Sequence, residues 1–144
     1  MNSLPDENSK KFVVILNKKI ETGKILNALG HMTAGLVGTN KNMDVFCFLN
    51  YKDKGNNNHP GISHFPFIVL KAENSNQIKK VRQQAFDKNI SFTDFVSTMT
   101  IGTSEEQLKA TKNLQGEDLE YYGICLFGDS DELKEITKKF SLFK

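Results

Sequence analysis

Phe12-Val13-Val14-Ile15-Leu16, followed by a helical pattern over residues 24–38, decides the fold class of this 144-residue chain. The first run is short, continuous and rich in β-branched residues, with lysines before it and an asparagine after it. Such a run reads as a strand covered on both faces. In the second pattern Ile25, Leu29, Met32 and Leu36 recur at helical spacing, with Leu26, Thr33 and Val37 on the flank. That stripe faces a core. At about 100° per residue, Lys24, Asn27 and His31 fall together on the opposite side, with Ala34, Gly35 and Gly38. Thr22 has N-cap chemistry. Interior Gly30 and Gly35 each cost about 1 kcal/mol against alanine, which points to close backbone approach at both.

Beyond this pair, the spacing predicts a second strand over residues 45–49 and an exposed loop over 52–58. It then predicts a tight turn at His59-Pro60-Gly61-Ile62-Ser63 and a third strand over 65–70. A second helix covers residues 75–88, with Asn74 and Gln77 at capping-box spacing and Asn89 closing it in a left-handed conformation. Residues 90–96 read as an irregular extended segment. Thr103 and Glu106 cap a short polar helix to residue 111. Tyr121-Tyr122-Gly123-Ile124-Cys125-Leu126-Phe127 is the fourth strand, and Asp129 with Glu132 opens a last helix striped by Leu133, Ile136 and Phe140. Helices that alternate with buried strands give an α/β class. The expected architecture is a three-layer sandwich, with a four-stranded mixed or parallel sheet and helices on both faces. Residues 1–10 are expected to be a flexible tail, and residues 11–144 a single domain.

Composition narrows the function. Nineteen basic and 17 acidic residues give a formal charge of +2. A strong sequence-blind nucleic-acid binder needs a concentrated basic surface, which that balance does not supply. Arg82 is the single arginine, so bidentate phosphate or base recognition has little to draw on. Cys47 and Cys125 stand alone in apolar runs and read as buried reduced thiols. The N-terminal stretch is polar and no apolar run approaches about 18 residues, so the expectation is a cytoplasmic protein with no membrane contact. Neither a phosphate-binding loop, a dinucleotide fingerprint nor a hydrolase elbow is present.

The candidate chemistry is sparse. Gly23-Lys24 opens the first helix, where free N–H groups and the dipole favour an anion. His31 on the polar face has the chemistry of a general base. Asp94 lies with Thr98 and Thr100 in a polar stretch framed by Phe92 and Phe95, and a carboxylate in an apolar frame suits base chemistry. His59 and His64 flank the Pro-Gly pair without an acid or cysteine to complete a metal set. No metal and no cofactor is expected.

Several segments resemble a known family: Val14-Ile15-Leu16-Asn17, Thr22-Gly23-Lys24, His59-Pro60-Gly61-Ile62-Ser63 and Tyr122-Gly123-Ile124-Cys125-Leu126-Phe127-Gly128. They resemble the bacterial domain of unknown function 2000 family over residues 11–144. The resemblance implies the fold of peptidyl-tRNA hydrolase type 2, the archaeal and eukaryotic form. In that comparison Gly23 and Lys24 match the enzyme's Gly-Lys helix opening. Asp94 and Thr98 match its Gln-Asp-Ala-Gly-x-Thr loop, in which the Gln and the Ala-Gly pair are replaced here. The Gln and His of its helical Gln-x-x-His-Ala are replaced by Gly30 and Thr33, and His31 lies two positions away. Three functions stay open. The first is a binding protein for a small anionic or nucleotide-like ligand, with Lys24 and Asp94 central and Gly23, Asn27, His31 and Thr98 as ligand contacts. The second is a peptidyl-tRNA hydrolase-like esterase acting on tRNA, with Lys24 and Asp94 catalytic. The third is a non-enzymatic interaction protein or homodimer using a strand edge or the Gly30/Gly35 face.

Overall fold

Burial on both faces is what the run at residues 12–16 requires, and the architecture supplies it. A computed structural model describes residues 3–144. The chain runs β1 (Lys10–Asn17), α1 (Thr22–Gly38), β2 (Phe48–Lys52), β3 (Asn58–Ser63), β4 (Phe67–Ala72) and α2 (Ser75–Asp87). It continues through β5 (Ser91–Val96), α3 (Ser104–Lys112), β6 (Tyr121–Asp129), α4 (Ser130–Thr137) and β7 (Ser141–Leu142). Short 3₁₀ turns occupy Met43–Val45, Ser97–Thr100 and Gly116–Asp118. Before β1, a turn at residues 6–9 is closed by the Ser9 amide donating to the Asp6 carbonyl at 3.1 Å. No helix among the described residues is long and apolar enough to cross a membrane.

The main sheet has five strands in the order β5-β6-β1-β4-β7. β1 and β4 are parallel, and the other pairs are antiparallel. Strand alternation divides the core in two. Val13, Ile15, Ile124 and Leu126 pack with Ile78, Val81 and Ala85 of α2 and with Leu133 and Ile136 of α4. Phe12, Val14, Leu16, Cys125 and Phe127 pack on the other face with Ile25, Ala28, Met32 and Leu36 of α1. Each layer removes an apolar strand face and an apolar helix stripe from water together.

Local capping chemistry sets three of the helix starts. Asn74 Oδ1 accepts from the Gln77 amide at 3.1 Å, and Thr103 Oγ1 from the Glu106 amide at 3.2 Å. Asp129 Oδ1 accepts from the Asp131 and Glu132 amides at 3.0 and 3.1 Å. Asn89 adopts φ 57°, closing α2 as its position predicts.

Elsewhere the structure corrects the sequence reading. The sheet holds five strands rather than four, and β2 and β3 form a separate two-stranded ribbon. The strand expected over residues 45–49 begins at Phe48, because a 3₁₀ turn takes Met43–Val45. The Pro-Gly pair makes no tight turn but lies within β3, where Gly61 has φ 76° and donates its amide to Asn50 Oδ1 at 3.2 Å. Proline is tolerated there because the pairing slips between Leu49–Ile62 and Tyr51–His59, leaving Pro60 and Gly61 in a bulge without ladder partners. The segment expected to be irregular is β5. In α1, Thr22 is the first helical residue instead of the cap, and Glu21 precedes it without a side-chain cap bond. Leu26, expected on the apolar flank, is 55% exposed, and Ala28 takes the inward place.

The close approach expected at Gly30 and Gly35 occurs at Gly123 instead. A side chain at Gly30 would meet nothing within 4 Å, and at Gly35 only the Thr93 methyl at 3.8 Å. A Cβ at Gly123 would lie 2.9 Å from both Leu16 Cδ2 and Met32 Cε, and 3.0 Å from the Ile15 carbonyl oxygen. Gly123 therefore lets α1 settle on the β1–β6 pair. Gly123→Ala is expected to destabilise the protein by about 1–3 kcal/mol in urea unfolding, the usual cost of overpacking. An unchanged unfolding midpoint would show that the contact has slack.

Candidate functional site

β5 is an edge strand, and its alternation decides which groups face which helix. Thr93 and Phe95 turn toward α1. The Thr93 hydroxyl donates to the Met32 carbonyl at 2.8 Å, and the Phe95 ring lies 5.9 Å from the His31 ring. Phe92 and Asp94 turn the other way, toward α2. Arg82 Nε donates to Asp94 Oδ2 at 2.7 Å, and the guanidinium lies 5.3 Å from the Phe92 ring centre. This is a charge-assisted bond beside a cation–π contact. Tyr121 packs close by. Burial pushes its phenol above the usual value, with the Asp94 charge adding to that and Arg82 opposing it.

After β5 the 3₁₀ turn at Ser97–Thr100 carries the chain to α3. The Thr111 hydroxyl donates to the Gln107 carbonyl at 2.7 Å, so its oxygen is free to accept from Thr98 at 2.6 Å. That pair ties the turn to α3 and sets Met99 and Gln107 opposite the polar face of α1.

Two hollows result. One, of about 440 Å³, is lined by Gly23, Lys24, Asn27, His31, Met99, Thr100 and Gln107. The other, of about 390 Å³, is lined by His31, Met32, Thr93, Asp94, Phe95, Met99, Ser104 and Gln107. They share His31, Met99 and Gln107, so they form one groove along α1. At its first end, the Lys24 and Ile25 amides bond back to the Glu21 carbonyl at 3.0 and 3.1 Å. The amides of Thr22 and Gly23 precede this ladder and face outward at the positive end of the helix. Lys24 is exposed and makes no ion pair among the described residues.

The residues singled out from sequence divide accordingly. Gly23, Lys24, Asn27 and His31 share the first hollow, and Asp94 lines the second. The Asp94 carboxylate, however, is engaged with Arg82 on the α2 side. Thr98 lines neither hollow, and its hydroxyl is spent on Thr111. Sequence spacing does not disclose three contributors: Met99, Gln107 and, as the partner of Asp94, Arg82. The alternation Phe92, Asp94, Val96 carried the signal for Arg82, since it sets Asp94 on the α2 face.

The remaining titratable groups lie elsewhere. His59 Nε2 is 2.9 Å from Asp53 Oδ2 at the tip of the ribbon, and this bond, with backbone help from Asn57, holds the Asp53 carboxyl below its usual range. His64 Nε2 donates to the Pro5 carbonyl at 2.7 Å. Among the described residues no group of three or more His, Cys, Asp or Glu side chains is placed to hold a metal. Cys125 is fully buried and Cys47 half-buried, and both are free. Burial pushes the Cys125 thiol up to about 12, with Thr33 opposing weakly.

Two predictions follow from these environments. Because the Cys125 thiol ionises less readily folded than unfolded, it disfavours folding once an unfolded thiol would deprotonate. Stability should be unaffected by this group below about pH 9 and should fall as pH rises from there toward 12. Cys125→Ala should flatten that alkaline decline in pH-dependent unfolding, and an unaltered decline would refute the assignment. Arg82→Met keeps the stem over Phe92 but strips Asp94 of its partner. It is expected to cost about 1–2 kcal/mol in chemical unfolding, and no loss would mean the pair is fully screened by solvent.

Comparison with known proteins reaches the same fold. A solved protein of unknown function from Agrobacterium tumefaciens strain C58 superposes with a TM-score of 0.79 at 19% identity, covering 94% of this chain and 98% of that one. No curated protein matches the chain. The profile of the family described as "Protein of unknown function (DUF2000)" matches residues 10–144, and the chain belongs to that family.

Proposed function

We propose that the protein binds a small ligand carrying a phosphate or carboxylate group, seated at the amino end of α1. The observation that carries this reading is Lys24, without an ion pair among the described residues, beside outward-facing helix amides on the wall of a 440 Å³ hollow. Helix amides and a lysine suit an anion together, the first as directional donors and the second as a point charge. Asn27, His31, Thr100 and Gln107 offer donors and acceptors to the uncharged part of such a ligand. Met99 gives the groove an apolar floor. Asp94 serves here as wall and anchor, since its carboxylate belongs to Arg82.

A second reading, cleavage of a peptidyl-tRNA ester, draws on the partial motif resemblance of Gly23, Lys24, Asp94 and Thr98 to peptidyl-tRNA hydrolase type 2 and on Lys24 and Asp94 lining contiguous hollows. In that reading Lys24 would stabilise the oxyanion and Asp94 would orient water. The engagement of Asp94 with Arg82 favours the binding role.

Thermal unfolding with inorganic phosphate, adenosine monophosphate and citrate tests the first reading. A ligand that binds only the folded state raises the melting temperature. Lys24→Ala should weaken the response about tenfold, the loss of one charge-assisted contact. Melting curves unmoved by all three, or a response indifferent to Lys24→Ala, would reject it. Release of an N-blocked amino acid from its tRNA, lost in Asp94→Asn, would instead support the esterase.

A further inference from the structure

Among the described residues, the outer edge of β5 has no neighbour in the sheet. Its backbone polarity can be read from the bonds at its ends. The Ile90 amide donates to Ala85 of α2 at 2.9 Å, and the Val96 amide to Met99 Sδ at 3.5 Å, both away from β6. The Ser97 amide donates to the Glu120 carbonyl at 2.9 Å, toward β6. Strand backbone groups alternate, so the N–H and C=O of Phe92 and Asp94 share the outward direction. Neither residue makes a backbone bond other than those of the β5–β6 ladder. The edge thus presents two donors and two acceptors in the register a further strand would take.

Two hollows lie beside this edge on the α1 side. One, of about 270 Å³, is lined by Leu36, Thr39, Asn40, Lys41, Ser91 and Phe92. The other is the 390 Å³ hollow at Thr93, Asp94 and Phe95. They are offset by about two residues of β5, the repeat at which an extended chain sends side chains to one face. We infer that an extended acidic peptide segment of a partner protein docks along β5 as a sixth strand, with alternate side chains entering these two hollows.

Charge selects the occupant. Lys41 is exposed, without an ion pair among the described residues, and Asp94, the one acidic residue lining either hollow, turns its carboxylate to Arg82 on the α2 side. A second copy pairing β5 against β5 would bring Lys41 no free acid, because Asp94 is that strand's single acidic residue. A peptide with an acid beside Ser91 answers Lys41. Backbone bonding supplies affinity, and the hollows supply selectivity. The test residue is separate from the anion seat, since Lys41 lies outside the 440 Å³ hollow, which the 390 Å³ hollow adjoins through His31, Met99 and Gln107.

The test uses blocked, fluorescein-labelled heptapeptides of alternating valine and glutamate, with a valine–lysine counterpart. Fluorescence anisotropy should show the glutamate peptide binding about threefold to tenfold more tightly. Hydrogen exchange at the Phe92 and Asp94 amides should slow on binding, and N-methylation of alternate peptide amides should abolish it. Lys41→Glu should reverse the preference while leaving the response to inorganic phosphate intact. Equal affinity for both peptides, no binding, or unchanged exchange at those two amides would overturn the proposal. So would a dimer in light scattering that protects the same amides without peptide.

Discussion

α1 lies so close to the central strand pair that Met32 occupies the space where a Gly123 side chain would begin. That contact sets the height of the helix above the sheet. Thr93 then fixes its lateral position by donating to the Met32 carbonyl. With both constraints in place, Lys24, Asn27 and His31 have one place to go, along the side of α1 that borders the β5 edge. The polar groove is thus a consequence of apolar packing: the buried stripe of the helix is satisfied first, and the flanking polar row is carried to the rim.

β5 carries the opposite half of the design. Its α1-facing residues close the groove from below, and its α2-facing residues are locked by Arg82. A strand clamped on both faces stays registered although one edge is bare. That stiffness matters for binding, because a wall that does not reorganise costs less on ligand entry. The Thr98–Thr111 pair acts in the same way on the far wall. It holds the 3₁₀ turn against α3, so Met99 and Gln107 keep their distance from His31.

What the sequence made legible was local. Asn74, Thr103 and Asp129 announced three helix starts through side-chain oxygens that reach amides two or three residues away, and Asn89 announced an end. The continuous apolar runs of β1 and β6 announced strands buried twice. What it hid was pairing between distant segments. Pro60-Gly61 has turn chemistry in isolation, yet it falls at a bulge inside the β2–β3 ribbon, where the pairing slips between Leu49 and Tyr51 and the Asn50 side chain accepts from the Gly61 amide. β7 has two residues and exists only because β4 offers an edge. Lys24 and His31 were placed together by helical arithmetic, but the direction of Asp94 depends on strand parity, and only the fold revealed the arginine that holds it. Thr98 shows the same limit: a polar residue in a polar stretch turned out to be a tether between two elements.

The decisive measurement is an amide chemical-shift titration of the ¹⁵N-labelled protein with inorganic phosphate. Shifts concentrated at Gly23, Lys24, Asn27, His31 and Gln107 and saturating together would place the anion at the amino end of α1. Shifts scattered over surface lysines without saturation, or saturating on the β2–β3 ribbon instead, would contradict that placement and leave the groove without its ligand.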